Sequence, residues 1–237
     1  LAEEIRKKQE IKETFSRYMG PSLVDYVLSH EPGLMARRER RHAVVMFADL
    51  RSSTRFIRLV EPNDVIARLN RFFTQMTEVV YKFEGTIFEL TGDEILVAFN
   101  APFDQADASS RAVETAVAMH QRFNALRLEL FEGLSSSFGM GIGIDQGNVI
   151  VGNVGAETRM TFRMVGDAVN TAHRLVDIAA DGQIVISASV YKNLGVDSSP
   201  LLQASQFESM GEVEIRGKDE PEHLYRIQVP LEQMRDA

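Results

Sequence analysis

Apolar and polar positions divide the chain into segments of different period. In 1–19, LAEEIRKKQEIKETFSRYM, apolar residues recur at Ile5, Ile11, Phe15 and Tyr18 or Met19, a helical stripe on a charged background. Pro21 ends or kinks that helix, and PSLVDYVLSH reads as a second short helix with Pro21 near its first turn. From 42 the pattern changes to HAVVMFADL, a short run rich in β-formers that predicts a buried strand. Helical spacing returns over about 62–83, where Val65, Leu69, Phe72, Phe73, Met76, Val79 and Val80 fall on one side before Gly85. TIFELTGDEILVAFN predicts two strands around Thr91-Gly92. Residues 106–131 predict a long helix, and SSFGMGIGIDQGNVIVGNV a hairpin turning near Gln146-Gly147. A helix over 166–180, a strand at QIVIS and two further strands in 205–229 complete the pattern, with no internal repeat and no low-complexity segment.

From 42 the order is strand, helix, strand, strand, helix, strand. That is the βαββαβ order of ferredoxin-like folds, here an α/β (α+β) core with additional strands behind an N-terminal helical segment. The division expected is 1–41, helices and a basic linker, and 42–237, the main domain. In this topology the third strand lies between the first two and runs antiparallel to both. The end of the first strand, at Asp49, therefore meets the start of the third, at Asp93, although the two are far apart in sequence.

Composition narrows the classes. The 237 residues are 44% hydrophobic and 25% charged, enough for a real core. The net charge of −8 argues against a general nucleic-acid binder. The basic side chains are skewed forward: residues 1–41 hold nine against seven acidic ones, including the cluster Arg37, Arg38, Arg40 and Arg41, whose default meaning is a solvated linker. There is no Cys, which removes disulfides, thiolate metal sites and Cys nucleophiles and suits a reducing compartment. A cytoplasmic domain is expected. No apolar run reaches membrane-spanning length. The start at Leu1 rather than Met suggests a fragment whose upstream part holds a regulator, an anchor or both. The first helix either packs on its own domain or forms a coiled coil joining two copies.

Two carboxylates at one sheet edge invite a hard divalent cation such as Mg²⁺, completed by phosphate oxygens and water. The bland alternatives are a helix cap for Asp49 and a turn residue for Asp93. Asn170 and Arg174, four apart, share a helix face where an amide and a guanidinium can orient a ribose oxygen and neutralise phosphate charge; an ordinary polar face is the other reading. His173 between them reads as surface or structural. GMGIGIDQGNVIVGNVG matches neither the dinucleotide nor the P-loop glycine spacing. Its glycines instead predict close backbone approach, as where two sheets or two subunits meet.

Together VVMFADLRSST, GTIFELTGDEILVAF, FGMGIGIDQGNVIVGNVG and FRMVGDAVNTAHRL resemble the catalytic domain of class III nucleotidyl cyclases, the adenylyl and guanylyl cyclases. The resemblance runs from about 42 to 228, and ETFSRYMGPSLVDYVL resembles the helical transducer that precedes the domain in many bacterial members. It implies that Asp49 and Asp93, with the Leu50 carbonyl, bind two Mg²⁺ or Mn²⁺ ions per site. It implies that Asn170 and Arg174 steady the ribose and the transition state. It also implies a head-to-tail homodimer in which the aspartates come from one protomer, and Asn170, Arg174 and the base readers from the other. Lys218 is its first choice for touching the terminal phosphates and Arg216 the second. Ser52 and Ser53 of the first metal loop replace a Gly and a Phe common in the family, and with Lys218 they are the phosphate-binding residues expected.

The base readers match at Glu89, four before the second aspartate, and Arg163, seven before the Asn. Glu89 is similar to the guanylyl pattern; Arg163 fits neither common pattern. A carboxylate accepts from guanine N1 and N2, and a guanidinium donates to O6, whereas adenine mispairs both. A buried mispaired polar group costs about 1–3 kcal/mol. GTP is therefore the preferred substrate expected, with ATP second. Polarity alone also admits UTP, and a salt bridge between Glu89 and Arg163 would leave the base unread. A non-catalytic dimerising or nucleotide-sensing module is the rival from another class.

Overall fold

A computed structural model of the chain describes residues 2–29, 38–51, 57–131, 139–156, 158–196 and 199–229. Helices α1 (Ala2–Met19) and α2 (Pro21–Ser29) precede the core. Then follow β1 (Glu39–Arg51), α3 (Pro62–Lys82), β2 (Thr86–Thr91), β3 (Glu94–Phe99), α4 (Ala108–Leu130) and β4 (Gly139–Ala156). After these come β5 (Arg159–Val165), α5 (Asp167–Ile178), β6 (Gln183–Ser187), the short α6 (Ala188–Lys192) and α7 (Pro200–Ala204), and β7 (Gln206–Val213) with β8 (Glu222–Gln228).

The sheet order is β2-β3-β1-β4-β6-β8-β7, with β5 paired to β4 off this path. β3 lies between β2 and β1 and runs antiparallel to both. The predicted ferredoxin-like core is thus present, extended by β6, β8 and β7. β1 is central and buried on both faces, which is why its sequence is a continuous apolar run rather than an alternation. Val44, Met46, Ala48 and Leu50 face the cluster holding Phe72, Met76 and Val80 of α3 and Val113, Ala116 and Phe123 of α4. Ala43, Val45 and Phe47 face the opposite cluster with Ala168, Ala172 and Val176 of α5 and Met164 of β5. Asp49, two residues beyond Phe47, falls on that second face.

Three expectations change. The hairpin near Gln146-Gly147 is absent: β4 runs unbroken, with Gln146 opposite Val44 and Gly147 opposite Ala43 of β1. Pairing along the whole of β1 outweighs the local turn signal, and the chain reverses only beyond Ala156, returning as β5, a strand the sequence reading lacked. β1 also begins at Glu39, so Arg40 and Arg41 are strand residues opposite Ile150 and Val149 rather than a solvated linker. Arg41 pairs with Glu39 and Asp104. Arg37 lies outside the described residues.

The glycines of β4 mark close approach, but by a helix rather than by a second sheet. A Cβ on Gly143 would lie 2.4 Å from both the carbonyl oxygen of Ala172 and the amide nitrogen of Val176. Gly141 leaves room for the Arg51 guanidinium and Gly139 for the Asp181 side chain. Bare strand backbone and the small residues Ala168 and Ala172 let α5 settle directly on β4. Gly143→Ala is therefore expected to lower stability by about 1–3 kcal/mol in urea unfolding. Gly147→Ala, where a Cβ meets only the Ala168 methyl at 3.2 Å, is expected to cost much less. Equal losses would contradict the close-approach account.

Candidate active site

The β1–β3 ladder brings the two aspartates together. Asp49 stands opposite Glu94, and the Leu50 amide donates to the Asp93 carbonyl at 3.2 Å. Gly92, at φ 63°, supplies the left-handed turn position before Asp93. Arg51 braces the site: its Nη1 donates to Asp49 Oδ2 at 2.9 Å, and its Nη2 donates to the carbonyls of Val176 and of Ala179, the latter at 3.0 Å. One guanidinium thus ties an aspartate to the last turn of α5. His173 Nε2 lies 3.2 Å from Glu94 Oε1, and its ring sets an edge against Phe47. That fits the structural reading of His173.

Negative charge accumulates at this end. Burial, then the Asp93 carboxylate, push the Asp49 pKa above its ordinary value; Arg51 and His173 pull the other way. Burial also raises Glu94, with Asp49, Asp93 and Asp177 adding to it against His173. Among the described residues no three or more side chains are grouped to hold a metal ion alone. Two carboxylates and a backbone carbonyl form an all-oxygen, incomplete set, the kind that suits Mg²⁺ completed by phosphate oxygens and water. The donor chemistry fits.

α5 (Asp167–Ile178) also carries the other two candidates. Asn170 is exposed and Arg174 half-buried. The Arg174 guanidinium lies against Gly217 in the β7–β8 loop, where a Cβ would come within 2.8 Å of it. Neither Asn170 nor Arg174 forms a hydrogen bond or ion pair with Asp49 or Asp93 among the described residues. Lys218 is committed within the chain, with Nζ 2.7 Å from Asp167 and 2.6 Å from Glu222. Arg216 is exposed and makes no ion pair among the described residues. Ser52 and Ser53 lie outside the described residues.

Glu89 and Arg163 do meet. Arg163 Nη2 is 3.3 Å from Glu89 Oε1, which also accepts from Thr91 Oγ1 at 2.8 Å. β2 carries an irregularity between Ile87 and Glu89, so Phe88 is the extra residue there. The pair is well exposed, 51% and 39% for the two side chains, and available to a ligand. Sequence reasoning did not find Arg51, although its period-2 spacing from Asp49 was the available signal.

The adenylate and guanylate cyclase catalytic domain family matches residues 35–228, from before β1 through β8. The chain belongs to that family. In solved structures the cyclase domain is similar to the adenylyl cyclase CyaB from P. aeruginosa, at 27% identity and TM-score 0.74 over 82% of this chain and 97% of that one. It is also similar to the guanylyl cyclase Cya2, at 31% identity and TM-score 0.70 over 83% of this chain and 96% of that one. The uncharacterized protein Rv1320c of Mycobacterium tuberculosis is 31% identical over 240 residues, 99% of this chain and 39% of that protein. This chain therefore spans well under half of the curated relatives it matches, and the matched part includes α1 and α2. Among the described residues no helix is long and apolar enough to cross a membrane.

A carboxyl whose folded pKa is raised destabilises the folded cyclase domain at pH above that value, and the penalty fades as pH falls through it. Asp49→Asn is therefore expected to raise Tm in metal-free buffer at pH ~7, with the gain shrinking toward pH ~4. A lower Tm at the neutral end would mean that the Arg51 pairing outweighs burial.

Proposed function

We propose that this domain cyclises a nucleoside triphosphate, GTP in preference to ATP, to its 3′,5′-cyclic monophosphate and pyrophosphate. The observation that carries the reading is the meeting of Asp49 and Asp93 across β1 and β3, joined by the Leu50–Asp93 hydrogen bond of 3.2 Å. Asp49, Asp93 and the Leu50 carbonyl would hold two Mg²⁺ or Mn²⁺ ions, which when bound acidify the ribose 3′-hydroxyl and neutralise triphosphate charge. The bond formed joins the ribose O3′ to the α-phosphorus. The bond broken is that from the α-phosphorus to its bridging oxygen, and the hydroxyl proton passes to solvent. Asn170 orients the ribose, and Arg174 neutralises charge building on the transferring phosphoryl group. With Lys218 held by Asp167 and Glu222, Arg216 is the better candidate for the terminal phosphates.

The active form is a homodimer with shared sites. What supports this reading is that the Arg174 guanidinium lies against Gly217, and that neither it nor Asn170 bonds to Asp49 or Asp93 among the described residues. A second copy placed head to tail supplies the missing half. The helices of 1–41 act as the transducer and dimerisation segment, receiving input from the upstream part of a longer protein.

The Glu89–Arg163 pair supports guanine. A carboxylate beside a guanidinium offers an acceptor and donors in the arrangement complementary to guanine N1, N2 and O6. ATP is the second reading, favoured by the 3.3 Å contact itself, because a pair satisfied internally reads no base. With each triphosphate offered separately and Mn²⁺ present, kcat/KM is expected to be highest for GTP; dominant turnover of ATP would overturn the preference. A non-catalytic module would turn over none of them.

Asp93→Ala and Arg174→Ala are each expected to abolish turnover while leaving the melting curve intact. Mixed in equal amounts, they should recover about a quarter of parental activity, since half the dimers are mixed and each of those keeps one whole site. No recovery on mixing would contradict the shared site.

A further inference from the structure

The two base readers each sit next to an aromatic ring, and the two rings touch. Phe88 precedes Glu89 on β2, and Phe162 precedes Arg163 on β5. The Phe88 and Phe162 rings stack at 6.0 Å with an interplanar angle of 18°. The irregularity at Phe88 and the separate strand β5 make this possible, because β2 and β5 share no ladder of hydrogen bonds. Their relative position is set by side-chain packing.

A third ring completes the contact, and it comes from outside the family-matched region. Tyr26 of α2 lies 5.7 Å from Phe162 at 51°, and 5.8 Å from Phe103 at 88°. Its hydroxyl donates to Glu39 Oε2 at 2.9 Å, on the first residue of β1. Glu39 is held in turn by Arg41 at 2.8 Å. Leu23 and Val24 of the same helix are buried, which fixes α2 against the domain. Tyr26 is therefore anchored at its hydroxyl to the central strand, while its ring bears on Phe162, the sequence neighbour of Arg163.

We propose that Tyr26 is a positioning residue for base recognition, acting through Phe162 and Phe88 on Arg163 and Glu89; this rests on the reading of those two as the base-contacting pair. Through this contact α2 has a hold on which nucleotide the site prefers. A displacement of α2 shifts the Phe162 ring and, through one shared peptide, the anchor of the Arg163 guanidinium. The Glu89–Arg163 spacing then changes, and with it the match to the base edge.

The test is steady-state kinetics with GTP and ATP on Tyr26→Ala, Tyr26→Phe, Phe162→Leu and, as a reference, Arg163→Ala. Tyr26→Ala and Phe162→Leu are expected to raise the KM for GTP about fivefold and bring the GTP-to-ATP ratio of kcat/KM toward unity, with kcat moved less than about twofold. Tyr26→Phe keeps the ring and is expected to keep the parental ratio. That ratio does not depend on the fraction of protein that is folded. A purely structural role would lower Tm and apparent kcat in Tyr26→Ala while leaving the ratio untouched, and that result would overturn the proposal. If Tyr26→Ala fails to fold, Phe162→Leu carries the same test. If Arg163→Ala shifts the ratio but neither Tyr26→Ala nor Phe162→Leu does, the coupling is wrong and the base-reading assignment stands. If Arg163→Ala leaves the ratio unchanged, the base-reading assignment falls and the coupling with it.

Discussion

β1 is paired on both edges, with β3 on one side and β4 on the other, and packed on both faces. A strand enclosed in this way has little freedom of register, because a slip of one residue would exchange its two apolar faces. That constraint fixes the rest. It sets Asp49 opposite Glu94 and next to Asp93, and points it to the side where α5 lies. It also holds β4 straight through Gln146 and Gly147, so that Gly139, Gly141 and Gly143 present bare backbone on the α5 side.

The acidic end is where the fold gives up stability for chemistry. Asp49, Asp93, Glu94 and Asp177 crowd a partly buried corner, and burial raises the pKa of Asp49 and Glu94 further. Arg51 and His173 offset part of this. Arg51 does so while gripping the C-terminal carbonyls of α5, so the aspartate and the helix carrying Asn170 and Arg174 share one brace. Charge left uncompensated in a half-buried site is what a divalent cation and a triphosphate can relieve together. The same arrangement is unfavourable when the site carries no cation.

Much of this was legible in the chain. The strand of 42–50, the α3 stripe and the hairpin before and after Gly92 come from apolar runs with clear periods, and those elements alone place Asp49 near Asp93. The misses share a cause. The turn expected at Gln146-Gly147 has the right local chemistry but was overruled by a partner strand about a hundred residues away in sequence. β5 is mostly exposed and mixes charge with apolar residues, so it carries no clean alternation. Arg40 and Arg41 look like linker residues until β4 pairs with them. The hold of Asp167 on Lys218, and the reach of Tyr26 to Phe162, are long-range side-chain facts that no local pattern encodes.

The central claim is that Asp49 and Asp93 of one chain grip cations under a triphosphate that the α5 face of a second chain completes. Its most direct test is diffraction from crystals grown with Mn²⁺ and a GTP analogue that cannot cyclise, with anomalous signal used to locate the manganese. The account predicts anomalous peaks between the Asp49 and Asp93 carboxylates, and a triphosphate contacted by Arg174 of the other protomer. Manganese elsewhere, or a nucleotide bound wholly within one chain, would contradict it.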